Sequence, residues 1–216
     1  MTVRWPARTE TIRIDPHRPA WASVRKAALA IRRGEVIAIP TDTVYGLAGD
    51  PFRPGLAERI FAIKKRASDQ PILLLVASQR DLEGIVKEPP PLFYRLAARF
   101  WPGPLTMILQ ASDKVPRAIT AGTGKVAVRW PQSAWVRALA REAGGSLTGT
   151  SANLSGRPPA VTAAELEKQF RRRVYYIVDG GRARRLRPST IVDLTDRPRI
   201  VREGVIPAAQ LAVYLQ

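Results

Sequence analysis

The chain has 216 residues, 45% of them apolar, enough to bury a full core, and no run of 18 or more apolar residues that would span a membrane as a helix. It has no cysteine and a single histidine, which excludes disulfide staples, thiolate nucleophiles and cysteine-built zinc sites and argues against a multi-histidine metal site. Lys and Arg number 35 against 18 acids, a net charge of +17, which suits a polyanionic partner or an anionic substrate, the plainer alternative being a solvated arginine-rich surface.

The opening "MTVRWPARTE" lacks an apolar leader, so a cytoplasmic location is expected. His17, in "DPHRP", reads as a solvated loop residue, and no G-x-S-x-G elbow accompanies it. "WASVRKAALAIRRG" carries Val24, Ala28 and Ile31 at helical spacing and ends at Gly34, a C-terminal stop signal. A strand over 35–39 runs into "PTDTVYG", where Thr41, Asp42, Thr43 and Tyr45 crowd a turn that needs none of them. The loop reads as a holder for something small and polar. "LAERIFAIKKR" (56–66) reads as a helix, "PILLLV" (71–76) as a strand buried on both faces, and "LFYRLAARF" (92–100) as a helix stopped by "WPGP". "LTMILQ" follows as a strand. "KVAVRW" (125–130) alternates, with Val126, Val128 and Trp130 on one face and Lys125, Ala127 and Arg129 on the other.

"SAWVRALAREAGG" is a helix with Ser133 as N-cap, and "TAAE" (162–165) has the spacing of a capping box opening a helix to Phe170. Strands at 174–178, 190–194 and 199–202 and a helix over 207–215 complete the pattern. The expected fold is α/β, a single domain over residues 1–216 built on a twisted, open, mixed sheet with flanking helices. "TMILQ" and "KVAVRW" have no expected helix between them, which argues against a purely parallel sheet. Residues 171–202 hold ten arginines against three aspartates, and "GRARRLRP" sits between two strand-like runs, as basic loops that meet phosphates do.

Two phosphate motifs fail. "TAGTGKV" (120–126) has Ile119 and Val126 where a P-loop needs glycine and a hydroxyl, and no G-x-G-x-x-G follows a strand. Two spaced pairs remain. Lys64 and Arg66 can address one ligand only if the helix ends near Lys64, and Ser68, Asp69 and Pro71 fit such an exit; the alternative is a basic helix terminus favoured by the macrodipole. Ser151 and Asn153 in "LTGTSANLSG" lie two apart on extended chain, or else form an ordinary turn.

In order along residues 20–207, "PTDTVYGL", "KKR", "PILLLV", "WPGPLT", "VAVRWP", "TSANLSG", "PSTIVDL" and "IVREGVI" resemble the signature segments of the YrdC-type threonylcarbamoyl-AMP synthases, in their short single-domain form. The resemblance implies a YrdC-like fold with a concave basic cavity and a nucleotidyltransferase activity. Such enzymes join L-threonine, bicarbonate and ATP into threonylcarbamoyl-AMP and pyrophosphate, with Mg2+ accompanying ATP. Downstream threonylcarbamoyl-transferase proteins then modify tRNA. The family's K-x-R and S-x-N signature falls on Lys64, Arg66, Ser151 and Asn153, implied as catalytic. Lys64, Arg66, Gln70, Asn153 and Arg202 are implied for ATP. Thr43, Arg129, Ser151 and Ser189 are implied for threonine, Arg129 receiving its carboxylate. The chain departs from the pattern at Ala67, Gln70, Leu75, Lys125 and Glu203. Lys125 stands where a threonine is common and is expected to reach phosphate instead. Related proteins also suggest the alternative of a non-enzymatic protein binding tRNA or double-stranded RNA.

Overall fold

The computed structural model describes residues 5–67, 70–183 and 187–215, so Ser68 and Asp69 and the middle of "GRARRLRP" lie outside the described residues. The first elements are β1 (Glu10–Arg13), α1 (Trp21–Arg32), β2 (Ile37–Ile39), β3 (Gly46–Ala48), α2 (Leu56–Lys64) and β4 (Leu74–Val76). A short 3-10 helix, Gln79–Leu82, precedes α3 (Pro91–Phe100), β5 (Leu105–Gln110), α4 (Arg117–Thr120), β6 (Lys125–Arg129) and α5 (Ala134–Ala143). The rest are β7 (Ser146–Thr148), β8 (Thr150–Ser151), α6 (Ala163–Phe170), β9 (Tyr176–Asp179), β10 (Thr190–Asp193), β11 (Arg199–Arg202) and α7 (Ala208–Ala212).

These strands build two mixed sheets, one in the order β1-β9-β2-β3-β8 and one in the order β11-β10-β5-β6-β4-β7. The near-continuous apolar runs are explained by cores on both faces. In β2, Ala38 packs into one cluster with α2 and α3, while Ile37 and Ile39 pack into another with α1 and α5. β4 divides the same way, Leu74 and Val76 against Leu75. Ala27 and Ala28 let α1 lie close to Trp135, Leu139 and Ala140 of α5. Gly34 then takes φ +87°, the left-handed stop that suits glycine.

The chain passes from one sheet to the other at Gly149, between β7 and β8. Its N–H donates to the Leu73 carbonyl at 2.7 Å, and a Cβ there would stand 2.5 Å from Leu75 Cγ. Gly149→Ala is therefore expected to destabilise the protein by about 1–3 kcal/mol through overpacking. A urea midpoint equal to that of the wild type would contradict this.

On the second sheet, Leu105, Met107 and Leu109 of β5, Val126 and Val128 of β6 and Val192 of β10 all enter the core. Their alternates, Ile108, Ala127 and Ile191, remain partly exposed and belong to neither core cluster. Helix α5 lies against β4 and β7. The face of Ile108, Ala127 and Ile191 forms a floor that also carries Lys125 and the buried Thr106, Arg129 and Asp193.

Several expected boundaries move. The strand after α1 begins at Ile37 because Glu35 N–H still turns back to the Ala30 carbonyl at 3.0 Å. "PILLLV" becomes regular only at Leu74, its Ile72 N–H being taken by the Ile119 carbonyl at 2.9 Å. Helix α2 stops at Lys64, since Lys65 adopts φ +51°. A single helical turn, α4, separates β5 from β6 where no helix was expected, yet the two strands still pair antiparallel. Ser133 caps α5 as its position suggests, accepting from Val136 N–H at 3.3 Å. Thr162 makes half of its capping box: it accepts from Glu165 N–H at 3.2 Å, but the Glu165 carboxylate takes Val161 N–H instead of its own. Among the described residues no helix is long and apolar enough to cross a membrane.

Candidate functional site

β2 and β3 pair antiparallel from Ile39 and Gly46, so "PTDTVY" is the loop of a hairpin. Two of its hydroxyls hold the loop itself. Thr41 Oγ1 donates to the Val44 carbonyl at 2.7 Å and accepts from Thr43 N–H at 3.1 Å. Tyr45 is fully buried, and its hydroxyl donates to the Gly181 carbonyl at 2.6 Å, tying the loop to the end of β9. Burial pushes the Tyr45 phenol up to about 12, so it stays a donor. Asp42 and Thr43, between Thr41 and Tyr45, both meet Arg129. Arg129, 3% exposed at the end of β6, donates to Thr43 Oγ1 at 3.1 Å and pairs with the Asp42 carboxylate. Its Nε donates to the Gly103 carbonyl at 2.9 Å. One guanidinium thus joins the floor of one sheet to the hairpin of the other.

The K-x-R and S-x-N pairs meet through Lys64. It is 3% exposed, and its ammonium donates to the Ser151 carbonyl, to the Asn153 carbonyl at 3.0 Å and to Asn153 Oδ1 at 3.3 Å. An ammonium has three N–H groups, and these contacts use all three. Ser151 Oγ donates to Asn153 Oδ1 at 2.6 Å, while Asn153 Nδ2 donates to the Leu154 and Arg157 carbonyls at 3.0 and 2.7 Å. Asn153 is therefore the hub of the loop, and Lys64 is a buried charge beneath it. Arg66 falls beyond the left-handed Lys65, off the helix, as a shared target for both cations requires.

Burial, reinforced by the Arg66 guanidinium, pushes the Lys64 ammonium down to about 8. The proton is held below that value and lost above it. If the charge serves an anionic ligand, activity should fall as pH rises through about 8. A rate flat from pH 7 to 9.5 would contradict a role for the ammonium.

The two clusters are neighbours. β3 and β8 pair Gly46 with Ser151, and Ala152 N–H donates to the Tyr45 carbonyl at 2.8 Å. A third cluster adjoins Arg129. Ser189, 3% exposed, shares a 2.7 Å hydrogen bond with Thr106, and Arg202 Nη2 donates to the Ser189 carbonyl at 2.9 Å. Desolvation, then the field of Arg129, lowers the pKa of Arg202, although much of its side chain is at the surface. Gln70 lies exposed beyond the exit of α2.

Lys125 lies on the same floor as Arg129, with its ammonium 3.0 Å from Asp196 and 3.7 Å from Asp193. Glu203, the other notable departure, accepts from Ala208 N–H at the start of α7 and stands 3.6 Å from Arg187. Sequence reasoning missed the roles of Asp42, Thr106 and Gly103. An acid inside a hydroxyl-rich loop, set against an arginine needing a counterion, was the available signal for Asp42.

A sheet floor with two guanidiniums, a buried lysine under a Ser-x-Asn loop and a hydroxyl-rich hairpin thus lie close together in this α/β fold. The model of the Sua5/YciO/YrdC family, described as "Telomere recombination", matches residues 29–204. The threonylcarbamoyl-AMP synthase of Pyrococcus abyssi is 39% identical over 87% of this chain and 56% of its own length. That of Thiobacillus denitrificans is 40% identical over 76% of this chain and 87% of its own. The structure of P. abyssi Sua5 complexed with L-threonine has a TM-score of 0.91 at 36% identity, covering 96% of this chain and 61% of that one. E. coli YciO has a TM-score of 0.85 at 27% identity, covering 92% and 97%. The chain spans 56% of the length of the P. abyssi and Bacillus subtilis relatives it matches. It belongs to the Sua5/YciO/YrdC family.

Proposed function

We propose that the chain is a threonylcarbamoyl-AMP synthase, forming L-threonylcarbamoyladenylate and pyrophosphate from L-threonine, bicarbonate and ATP. The observation that carries this reading is the meeting of Lys64 with Ser151 and Asn153 next to the Thr43–Arg129 contact. Arg129 receives the threonine carboxylate as a guanidinium fork, with Thr43, Ser151 and Ser189 supplying hydroxyls. The threonine amine first takes up the bicarbonate carbon, losing water, to give a carbamate. A carbamate oxygen then attacks the α-phosphorus of ATP, and the bond to the β-phosphate oxygen breaks as pyrophosphate leaves. This chemistry asks mainly for alignment and charge neutralisation. Arg66 and Arg202 meet the phosphates, Lys64 supplies positive field from below, and Asn153 holds the loop that lies against them. Gln70 adds a contact to ATP from the exposed side.

Among the described residues no group of three or more His, Asp or Glu side chains could hold a metal ion. Mg2+ comes with the ATP, riding on phosphates and water. The cavity is concave and basic, and the whole functions as one domain in the cytoplasm, handing its product to threonylcarbamoyl-transferase proteins that modify tRNA. The test is to incubate the protein with ATP, Mg2+, L-threonine and 13C-bicarbonate and seek an adenylate carrying both the threonine and the labelled carbon. A second reading is an RNA-binding protein without chemistry, favoured by Lys65, Arg171, Arg172 and Arg173, which line one crevice with Trp5. Salt-sensitive tRNA binding with no adenylate formed would favour it.

A further inference from the structure

Asp42 has a feature that the pairing with Arg129 leaves unexplained. Its Oδ2 takes the guanidinium, whereas Oδ1 is buried and accepts no hydrogen bond. A desolvated carboxylate oxygen without a donor is costly, and such an atom in a native fold calls for a reason. The hydroxyls beside it do not fill the gap. Thr41 Oγ1 donates to the Val44 carbonyl, and Thr43 Oγ1, which accepts from Arg129, shares its own proton with Thr41 Oγ1 at 3.1 Å. A metal is a poor candidate, because among the described residues no group of three or more His, Asp or Glu side chains could hold one. Oδ1 itself is shielded, while the side chain as a whole keeps 12% of its surface, and Asp42 lines a cavity with Thr41, Tyr45 and Ser133.

The partner that suits such an acceptor is a cationic donor. It must also bring an anion for the neighbouring guanidinium, since the Asp42–Arg129 pair is neutral as a whole. An α-amino acid zwitterion has that charge pattern, an ammonium and a carboxylate on adjacent carbons. We propose that Asp42 Oδ1 accepts from the α-ammonium of the amino acid substrate while Arg129 takes its carboxylate, so that the pair reads the zwitterion. The inference rests on the threonine reading above and adds the residue that selects the amine. It also gives a reason for the acid in "PTDT": the nitrogen that must bond to the bicarbonate carbon is fixed in place before it loses its proton.

Calorimetry on the full chain tests this with L-threonine and with 3-hydroxybutanoate, which is threonine without its amine. Wild type is expected to bind threonine at least tenfold tighter than 3-hydroxybutanoate. Asp42→Asn is expected to weaken threonine about tenfold while leaving 3-hydroxybutanoate within twofold. Equal losses for both ligands would mean that Asp42 acts only by holding Arg129, and would overturn the proposal. So would equal affinity of the wild type for the two ligands, a result independent of whether the variant folds. Wild type that binds neither ligand overturns the threonine reading itself, and this inference with it.

Discussion

Replacing Lys64 with alanine is expected to lower the rate of ATP-dependent pyrophosphate release by about 100-fold or more, the scale of removing a group that stabilises developing charge. The loss has two sources. The positive field beneath the Ser151–Asn153 loop disappears, and the Asn153 carbonyl loses its donor, whereas the Ser151 carbonyl keeps Asn153 N–H at 3.1 Å and Asn153 Oδ1 keeps the Ser151 hydroxyl at 2.6 Å. Leaving one buried acceptor unpaired costs about 1–3 kcal/mol where water does not replace the donor, so the loop should also loosen. A drop below threefold with unchanged ATP affinity would remove Lys64 from the site. Arg66→Ala, at a residue beyond the end of α2, should likewise give a loss on the order of 100-fold.

Arg129→Ala should raise the threonine KM sharply, more than it lowers kcat, since a carboxylate fork contributes mainly to binding. The structure adds a second consequence. Arg129 is 3% exposed and pairs with Asp42, so deleting it leaves a buried carboxylate without a counterion. Breaking such a pair on one side typically destabilises by about 3–5 kcal/mol. Arg129→Lys separates the effects. It keeps the charge beside Asp42 but loses the planar fork, so most of the stability should return while the KM stays high. An unaltered KM in a folded Arg129 variant would count against the carboxylate role.

Much of the frame was legible because it rests on local periodicity. The helical spacing of Val24, Ala28 and Ile31, the glycine at 34 and the alternation of Val126 and Val128 with Lys125 and Arg129 all appear as written. Strands of two or three residues, such as β7 and β8, hold too few residues to show a period. They exist because β7 pairs with β4, and β8 with Gly46 and Leu47 of β3, from far along the chain. The site follows the same division. The spacing of Lys64 and Arg66 fixed where α2 had to end, and it does end there. The ion pairs of Lys125 were not legible, because Asp193 and Asp196 lie on another strand and the turn after it. The Asp42–Arg129 pair spans 87 residues and two sheets, and no local pattern announces such a contact.

The most direct measurement is pyrophosphate release from the purified protein with ATP and Mg2+, in the presence and absence of L-threonine and of bicarbonate. Release that requires both is the expected result. Release with either one omitted, or none with all components present, would contradict the synthase.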